Sequence, residues 1–192
     1  RENTLVVFLS DNGGPSHRNG SNNAPLRGRK GQLFEGGIRV PFAMSWPAQI
    51  PAGMKYEQPV ISLDIFASIV AQSGDQLKPK KDIDGVNLIP YLRGEQSGVP
   101  HEVLAWRFYD RQEVAIRVGN HKLIQFPDST KFFDLDADIG ERQNHLEAQA
   151  ALIESLKKEQ DSWLSAMQDA VFLGLAFDKE YTQQHPDRFK RP

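Results

Sequence analysis

The chain opens on a β-prone apolar run, Thr4 to Leu9, without polar alternation. Such a run suits a strand covered on both faces, as in a parallel sheet flanked by helices. In sheets of that kind, binding residues gather just beyond the carboxyl ends of strands. Ser10-Asp11-Asn12-Gly13-Gly14 follows at once. From Gly13 to Gly37 apolar periodicity vanishes, and seven glycines and two prolines fall within 25 residues. That composition predicts a long loop, and loops of such length inside a compact domain are uncommon and often functional. Ile38 to Trp46 resumes β character, with Pro41 pointing to an edge position or a bulge.

Ser62 to Gly74 predicts a helix of about three turns, with Ser62 as N-cap, Leu63, Phe66, Ala67 and Val70 as the apolar face, and Gly74 as the stop. Asp75 to Gly85 is polar, carries the basic run Lys78 to Lys81, and ends in an Asp-Gly turn signal, which makes it the best boundary. It divides the chain into residues 1–75 and 76–192. After the short apolar segment VNLIPYLRG come four β-prone stretches, LAWRFY, EVAIRV, HKLIQF and KFFDL. Separated by turns, they predict a small antiparallel sheet, with Val114, Ile116 and Val118 alternating against Ala115 and Arg117. Asn144 to Glu147 has the form of a capping box. Leu146, Ala150, Ile153, Leu156, Gln160, Trp163 and Met167 then recur at helical spacing. A helix on one face of the sheet would bury that stripe, Trp163 included. No regular structure is predicted from Phe172 onward, and no repeat is visible.

Composition narrows the function without naming it. A length of 192 residues allows one domain or one and a half, at the usual size of about 100–200 residues per domain. Hydrophobic residues at 39% and charged residues at 25% are ordinary for a globular protein. Lys plus Arg at 23 against Asp plus Glu at 25 leaves a net charge of −2, so no overall basic field points to nucleic acid or an anionic membrane. No window is long and apolar enough for a membrane-spanning helix, and the N-terminus lacks the regions of a signal peptide. The absence of cysteine excludes disulfides, thiolate metal sites and a cysteine nucleophile from these residues. Arg1-Glu2-Asn3 precedes what reads as an interior strand, with no initiator Met, and we expect a piece of a longer protein.

Two stretches carry candidate chemistry. Asp11-Asn12 offers two oxygen donors on consecutive residues, and hard cations such as Ca²⁺ take carboxylate and amide oxygens. Two ligands do not fill a site that takes six or more, and Asp-Asn-Gly-Gly after a strand is equally a turn sequence. Arg27, Arg29 and Lys30 interleave with Gly28 and Gly31. Glycines let backbone amides approach an oxyanion, and a lysine reaches one as a point charge. The alternative is a solvated basic surface. A cation and a lysine converging on one pocket would suit a tetrahedral anion such as sulfate or phosphate. His17 lies in the same loop as a candidate substrate contact, against the reading of a solvated loop histidine. Arg107, Tyr109 and Arg111 are either a substrate subsite or strand-end surface residues. Asn19-Gly20-Ser21 fits the glycosylation sequon.

FLSDNGG, NNAPLRGRKGQLFEGGIRVPF and WPAQIPAG closely resemble the C-terminal part of the type I, formylglycine-dependent sulfatases. DGVNLIPYLRGE, WRFYDRQEVAIRVGNHKLI and KFFDLDADIGERQNHLE are similar to the second subdomain of that family, so the likeness runs from Thr4 to about Met167. It implies an α/β fold: the end of a sulfatase/alkaline-phosphatase-like α/β sandwich, then a small antiparallel sheet packed on a C-terminal helix. Residues 1–75 would finish the catalytic domain, and 76–192 would form the second subdomain. The resemblance implies that Asp11 and Asn12 are two ligands of an active-site Ca²⁺. Lys30 matches the lysine that contacts the sulfate group; Arg27 and His17 stand beside it as candidate substrate contacts read from the loop itself. Glu35 to Pro41 matches a signature whose role is architectural, Arg39 with it.

The formylglycine motif, an earlier Asp-Asp metal pair, and the family's His and Lys residues on other strands are not present in these residues. We therefore expect this chain alone to be inactive, with formylglycine and the remaining Ca²⁺ ligands supplied by an N-terminal part of the same enzyme. The implied substrate is a sulfate ester of a carbohydrate or aryl alcohol, and the implied location is periplasmic, secreted or lysosomal. Two rivals stand beside this reading. One is a phosphate or phosphonate ester hydrolase of the same superfamily, whose members commonly place His after the metal Asp, where this chain has Asn12. The other is a non-catalytic module for folding or glycan binding.

Overall fold

The chain is described by a computed structural model, covering residues 1–74, 82–169 and Gln183. The basic run at 78–81 and the segment from Phe172 lie outside the described residues, Gln183 excepted. Two compact units emerge, each discontinuous in sequence. One combines residues 1–13 with 39–102, the other 14–38 with 103–192. The sequence suggested a single cut at 75–76.

In the first unit, β1 (Val6–Leu9) pairs antiparallel with β2 (Phe42–Ser45), Val6 opposite Ser45 and Leu9 opposite Phe42. The strand partner of β1 among the described residues runs antiparallel, where a parallel neighbour is expected from the sequence. Val6 is 57% and Phe8 66% exposed, while Val7 and Leu9 are half-buried. An unbroken apolar run records that both faces seek cover. Leu5, Phe42, Met44 and Trp46 pack on a core of Ile50, Leu88, Ile89 and Leu92. The last two residues belong to the one-turn α4 (Ile89–Leu92), whose Pro90 is tolerated in the first turn.

α3 (Leu63–Gln72) forms where a helix is predicted, but only part of its predicted face is inward: Ala67 is buried and Val70 half-buried, while the two largest members face out. Leu63 and Phe66 are 50% and 56% exposed, and Ile69 is exposed with them, whereas Asp64, Ala67 and Ser68 are buried. The physical reason is hydrogen bonding. Asp64 is fully buried and accepts from the backbone N–H groups of Ile61 and Val86, both at 2.8 Å. His101 Nε2 lies 2.8 Å from its Oδ1. Ser68 Oγ accepts from Leu88 N at 2.9 Å. Ser62 makes no side-chain cap bond, and the carboxylate of Asp64 instead ties the segment before the helix, through Ile61 N, to its first turn.

The second unit is built on the predicted sheet, in order β3 (Val103–Phe108), β4 (Glu113–Val118), β5 (His121–Phe126), β6 (Ser129–Asp134), antiparallel throughout. A 3₁₀ turn, Tyr109–Arg111, and Gln112 at φ 54 join β3 to β4. Its faces are both covered, which is why Val114, Ala115 and Ile116 are all buried instead of alternating. One face, Ile116, Leu123 and Phe132, packs on Ile153 and Leu156 of α5 (Ala150–Ala166). The other, Ala115, Ile124 and Phe133, packs on Leu33 and Phe34. The long loop is thus a layer of this unit.

α5 starts later than its capping-box signal. Asn144 Oδ1 accepts from Phe132 N at 2.9 Å, so that side chain ties the chain to β6 instead of capping the helix. Trp163 is half-buried and Met167 is exposed, whereas Gln160 is fully buried.

The outward Phe66 and inward Asp64 of α3 give a prediction that runs against hydrophobic intuition. In this chain Asp64→Ala should cost about 3 kcal/mol, because buried donors lose a charged acceptor, while Phe66→Ala should cost about 0.5 kcal/mol or less, as for an exposed position. Urea denaturation of the two variants checks it, and a larger loss for Phe66→Ala would sink the account.

Candidate functional site

Past the end of β1 the chain is bent by local bonds. Ser10 N donates to Pro41 O at 3.3 Å, and Ser10 Oγ donates to Asn12 O at 2.8 Å. Asp11 is exposed and Asn12 half-buried. Asn12 Nδ2 donates to Gly13 O at 3.0 Å. Among the described residues no hydrogen bond occupies Asn12 Oδ1 or the Asp11 carboxylate. Two hard oxygens at a strand's carboxyl end fit part of a Ca²⁺ coordination set. No group of three or more His, Cys, Asp or Glu that could hold a metal occurs among the described residues.

The basic loop lies in the other unit, and its geometry is set by glycine. Backbone of α2 (Glu35–Ile38) lies directly against backbone of residues 27–32. Gly36 N donates to Arg27 O at 2.6 Å, and a Cβ on Gly36 would stand 2.6 Å from both Arg27 O and Gly28 O. A Cβ on Gly37 would collide with the carbonyls of Gln32 and Arg29. Neither position admits a side chain. Gly31 takes φ 80, the left-handed region that costs other residues strain. Asn23 closes the other side, donating from Nδ2 to Gly14 O and Gly28 O at 2.9 and 3.1 Å. The loop presents Lys30 to solvent, with its N–H donating to Gly14 O at 3.3 Å. Among the described residues no ion pair or hydrogen bond engages the Lys30 ammonium.

Under the loop lies a buried charge cluster that the sequence did not reveal. Lys122, on β5, is fully buried, with Nζ 2.8 Å from Glu35 Oε1 and 2.9 Å from Glu141 Oε1. Glu141 Oε2 accepts from Glu35 N at 2.6 Å, and Arg117 Nη1 lies 3.8 Å from Glu35 Oε2. Arg27 joins through its guanidinium, with Nη1 donating to Glu141 O at 2.7 Å and the planar group 4.2 Å over the Phe34 ring. Burial pushes the Glu141 carboxyl above the ordinary glutamate range, and Lys122 opposes that shift. Glu141 itself sits at φ 51, held in the turn that Asp138 organises. Asp138 Oδ2 accepts from Arg142 N at 2.6 Å and Gln143 N at 2.8 Å, and chiefly the Gln143 bond holds its carboxyl below the usual aspartate range. A lysine inside the apolar run HKLIQF was the one available signal.

Of the expected site residues, Asp11 and Asn12 belong to the first unit, and Arg27 and Lys30 to the second. His17 falls on the one-turn α1 (Ser16–Asn19), and its side chain lies outside the described set. Arg111 is brought to the Lys30 loop, Nη1 donating to Gly31 O at 2.6 Å.

Comparison with known proteins fixes the class. The chain superposes on the solved structure of Ps i-CgsB in complex with k-i-k-neocarrahexaose with a TM-score of 0.78 at 29% identity, over 99% of this chain and 42% of that one. The phosphonate monoester hydrolase of Agrobacterium radiobacter shares the fold alone, with a TM-score of 0.65 at 24% identity, over 84% of this chain and 35% of that one. The architecture is that of the alkaline-phosphatase-like α/β fold. A family model described as Sulfatase matches residues 1–74. Arylsulfatase A of Bos taurus is 36% identical over 140 residues, which is 70% of this chain and 27% of that protein. The chain belongs to the sulfatase family, as a C-terminal portion. It spans 17% to 29% of the length of such curated relatives.

Two predictions follow the charge cluster. Lys122→Met should destabilise the chain by about 3–5 kcal/mol, since a buried charge group loses its counter-ion, and Lys122→Met/Glu141→Gln should recover part of that; equal loss in both would argue against ionic pairing. For Asp138 the folded pKa is depressed, so its contribution is present above the ordinary value of 3.8 and disappears as pH falls through the folded value. Asp138→Asn should therefore destabilise at pH 7 and converge on wild type in acid. Chemical denaturation across pH reads both curves, and a gap that persists unchanged in strong acid would exclude the carboxylate as its cause.

Proposed function

We propose that this chain supplies the C-terminal part of an enzyme that hydrolyses sulfate esters, of carbohydrates in the first instance and of aryl alcohols in the second. The observation that carries it is Lys30. In a sulfatase-family chain this ammonium is exposed and unengaged among the described residues, on a loop whose backbone is fixed from behind by Gly36, Gly37 and Glu35. A lysine held in that way is preorganised to meet an oxyanion without reorganising the loop.

In this reading Lys30 binds the sulfate group and stabilises negative charge as the ester bond breaks, with Arg27 and His17 in the same segment as substrate contacts. Asp11 and Asn12 supply two oxygen ligands to Ca²⁺, which when bound polarises a sulfate oxygen. The remaining ligands and formylglycine come from the N-terminal part of the same enzyme. That part also supplies cover for the exposed apolar side chains of β1 and α3, since Val6, Phe8, Leu63 and Phe66 are large apolar groups left in solvent. The 192-residue chain alone is inactive. Sulfated glycans lie outside the cytoplasm, so the enzyme is exported, to periplasm, medium or lysosome. No helix of the described residues is long and apolar enough to cross a membrane.

Phosphate or phosphonate ester hydrolysis is the second reading, supported by the fold shared with a phosphonate monoester hydrolase. Asn12 in the position after Asp11 favours sulfate. A non-catalytic role in glycan binding is the third, and it would appear as binding without turnover by the full-length enzyme.

The test is hydrolysis of an activated aryl sulfate, and of the matching phosphate ester, by the full-length enzyme beside this chain. Activity is expected only in the full-length enzyme, lost to a chelator, and lower by about 10²–10³ in Lys30→Ala, the scale of one preorganised electrostatic contact. Unchanged turnover in Lys30→Ala, or faster phosphate turnover, would overturn the assignment.

A further inference from the structure

Within the second unit, one cation comes to the Lys30 loop from a distant part of the sequence. Arg111 ends the 3₁₀ turn after β3, 80 positions from Gly31, and Nη1 donates to Gly31 O at 2.6 Å. Its guanidinium lies 4.3 Å over the Phe108 ring. Glu113 Oε2 stands at 4.0 Å, too far for a hydrogen bond. The side chain is nonetheless 39% exposed. A guanidinium has five donors in one plane. Stacking on Phe108 uses the face of that plane, and Gly31 uses one N–H. In-plane donors are left at an exposed edge beside the residue that follows Lys30. Arg107 is committed differently, with Nη2 donating to Gln168 O at 2.9 Å and its guanidinium 5.1 Å from the Tyr109 ring.

We propose that Arg111 is a specificity-determining residue that binds a second anionic group of the substrate, a carboxylate or an additional sulfate, next to the ester held by Lys30. This rests on the reading of Lys30 as the sulfate-binding lysine. The substrate class it selects is a polyanionic glycan over a monosulfated one. A planar fork matches the two oxygens of a carboxylate or sulfate edge. Its fixed position needs no loop closure, because Gly31 O and Phe108 already hold the group. Glu113, with Oε2 4.0 Å from Nη1, offsets part of the guanidinium charge, so the preference for an anion is of modest size.

Lys30 and Arg111 belong to the same compact unit, but the sulfate site they would serve is completed outside this chain, so the test uses the full-length enzyme with its formylglycine precursor residue replaced by alanine, which binds without turnover. Binding of N-acetyl-D-glucosamine 6-O-sulfate, neutral at C2, and of D-glucosamine-2-N,6-O-disulfate is followed by NMR titration at fixed ionic strength. The disulfate should bind about tenfold more tightly, the size of a charge-assisted hydrogen bond. Arg111→Ala should remove that advantage and leave monosulfate affinity unchanged, and Arg111→Lys should restore only part of it. Lys30→Ala should weaken both ligands. Lys158→Ala, an exposed charge on α5, should alter neither. If Arg111→Ala weakens both ligands equally, Arg111 only positions the loop through Gly31, and the proposal fails while the role of Lys30 stands. Equal affinity for the two sulfates in wild type also refutes it. Indifference of both ligands to Lys30→Ala would overturn the underlying reading as well.

Discussion

The second unit depends on one arrangement, the enclosure of Lys122 between Glu35 and Glu141. An ammonium removed from water costs several kcal/mol unless its charge and donors are met. Here two carboxylates meet it, at 2.8 and 2.9 Å, and they arrive from segments more than a hundred positions apart. Glu35 belongs to the glycine-rich loop, Lys122 to the centre of the sheet, and Glu141 to the turn after β6. Each is buried only because the other two are. The cluster therefore couples the loop's position to the sheet in a way apolar contact alone would not, since Leu33 and Phe34 could slide on Ala115 and Ile124 at small cost.

That coupling bears on the chemistry. Gly36 and Gly37 bring α2 backbone against residues 27–32, and Glu35 anchors α2 to Lys122. Arg27 and Arg111 add two bonds from guanidinium groups to carbonyls, one on Glu141 and one on Gly31. Lys30 is thus an exposed side chain on an otherwise over-determined segment. In the proposed function, a flexible side chain on fixed backbone is what a lysine needs to meet charge moving from an ester to its leaving oxygen.

How much of this was legible in the sequence depended on range. EVAIRV and HKLIQF set β4 and β5 to the residue, because a Gly-Asn turn between β-prone runs is a local signal. The presence of a helix at 63–72 was local too, but its orientation was not. Leu63 and Phe66 outscore Asp64 and Ser68 on any hydrophobic scale, yet Asp64 is the buried group, because Val86 and His101 bring donors that no spacing rule anticipates. The capping box failed for the same reason. Asn144 had a better partner in Phe132 N. Long-range hydrogen bonds override local pattern wherever a short polar side chain can choose between a helix terminus and a strand.

The long loop makes the same point at the level of the site. Its composition predicted a long loop without regular structure, and its place after β1 put it in the same unit as Asp11 and Asn12. Instead Leu33 and Phe34 close one face of the β3–β6 sheet, and residues 14–38 belong with that sheet. Glycine content misled because glycine serves close approach as well as freedom. At Gly36 and Gly37 the missing side chains are what allow two backbones to meet, so the most glycine-rich stretch of the chain is among its most constrained. Lys30 extends from a backbone that has little choice, and Arg111 reaches the same backbone from the turn after β3 through Gly31 O.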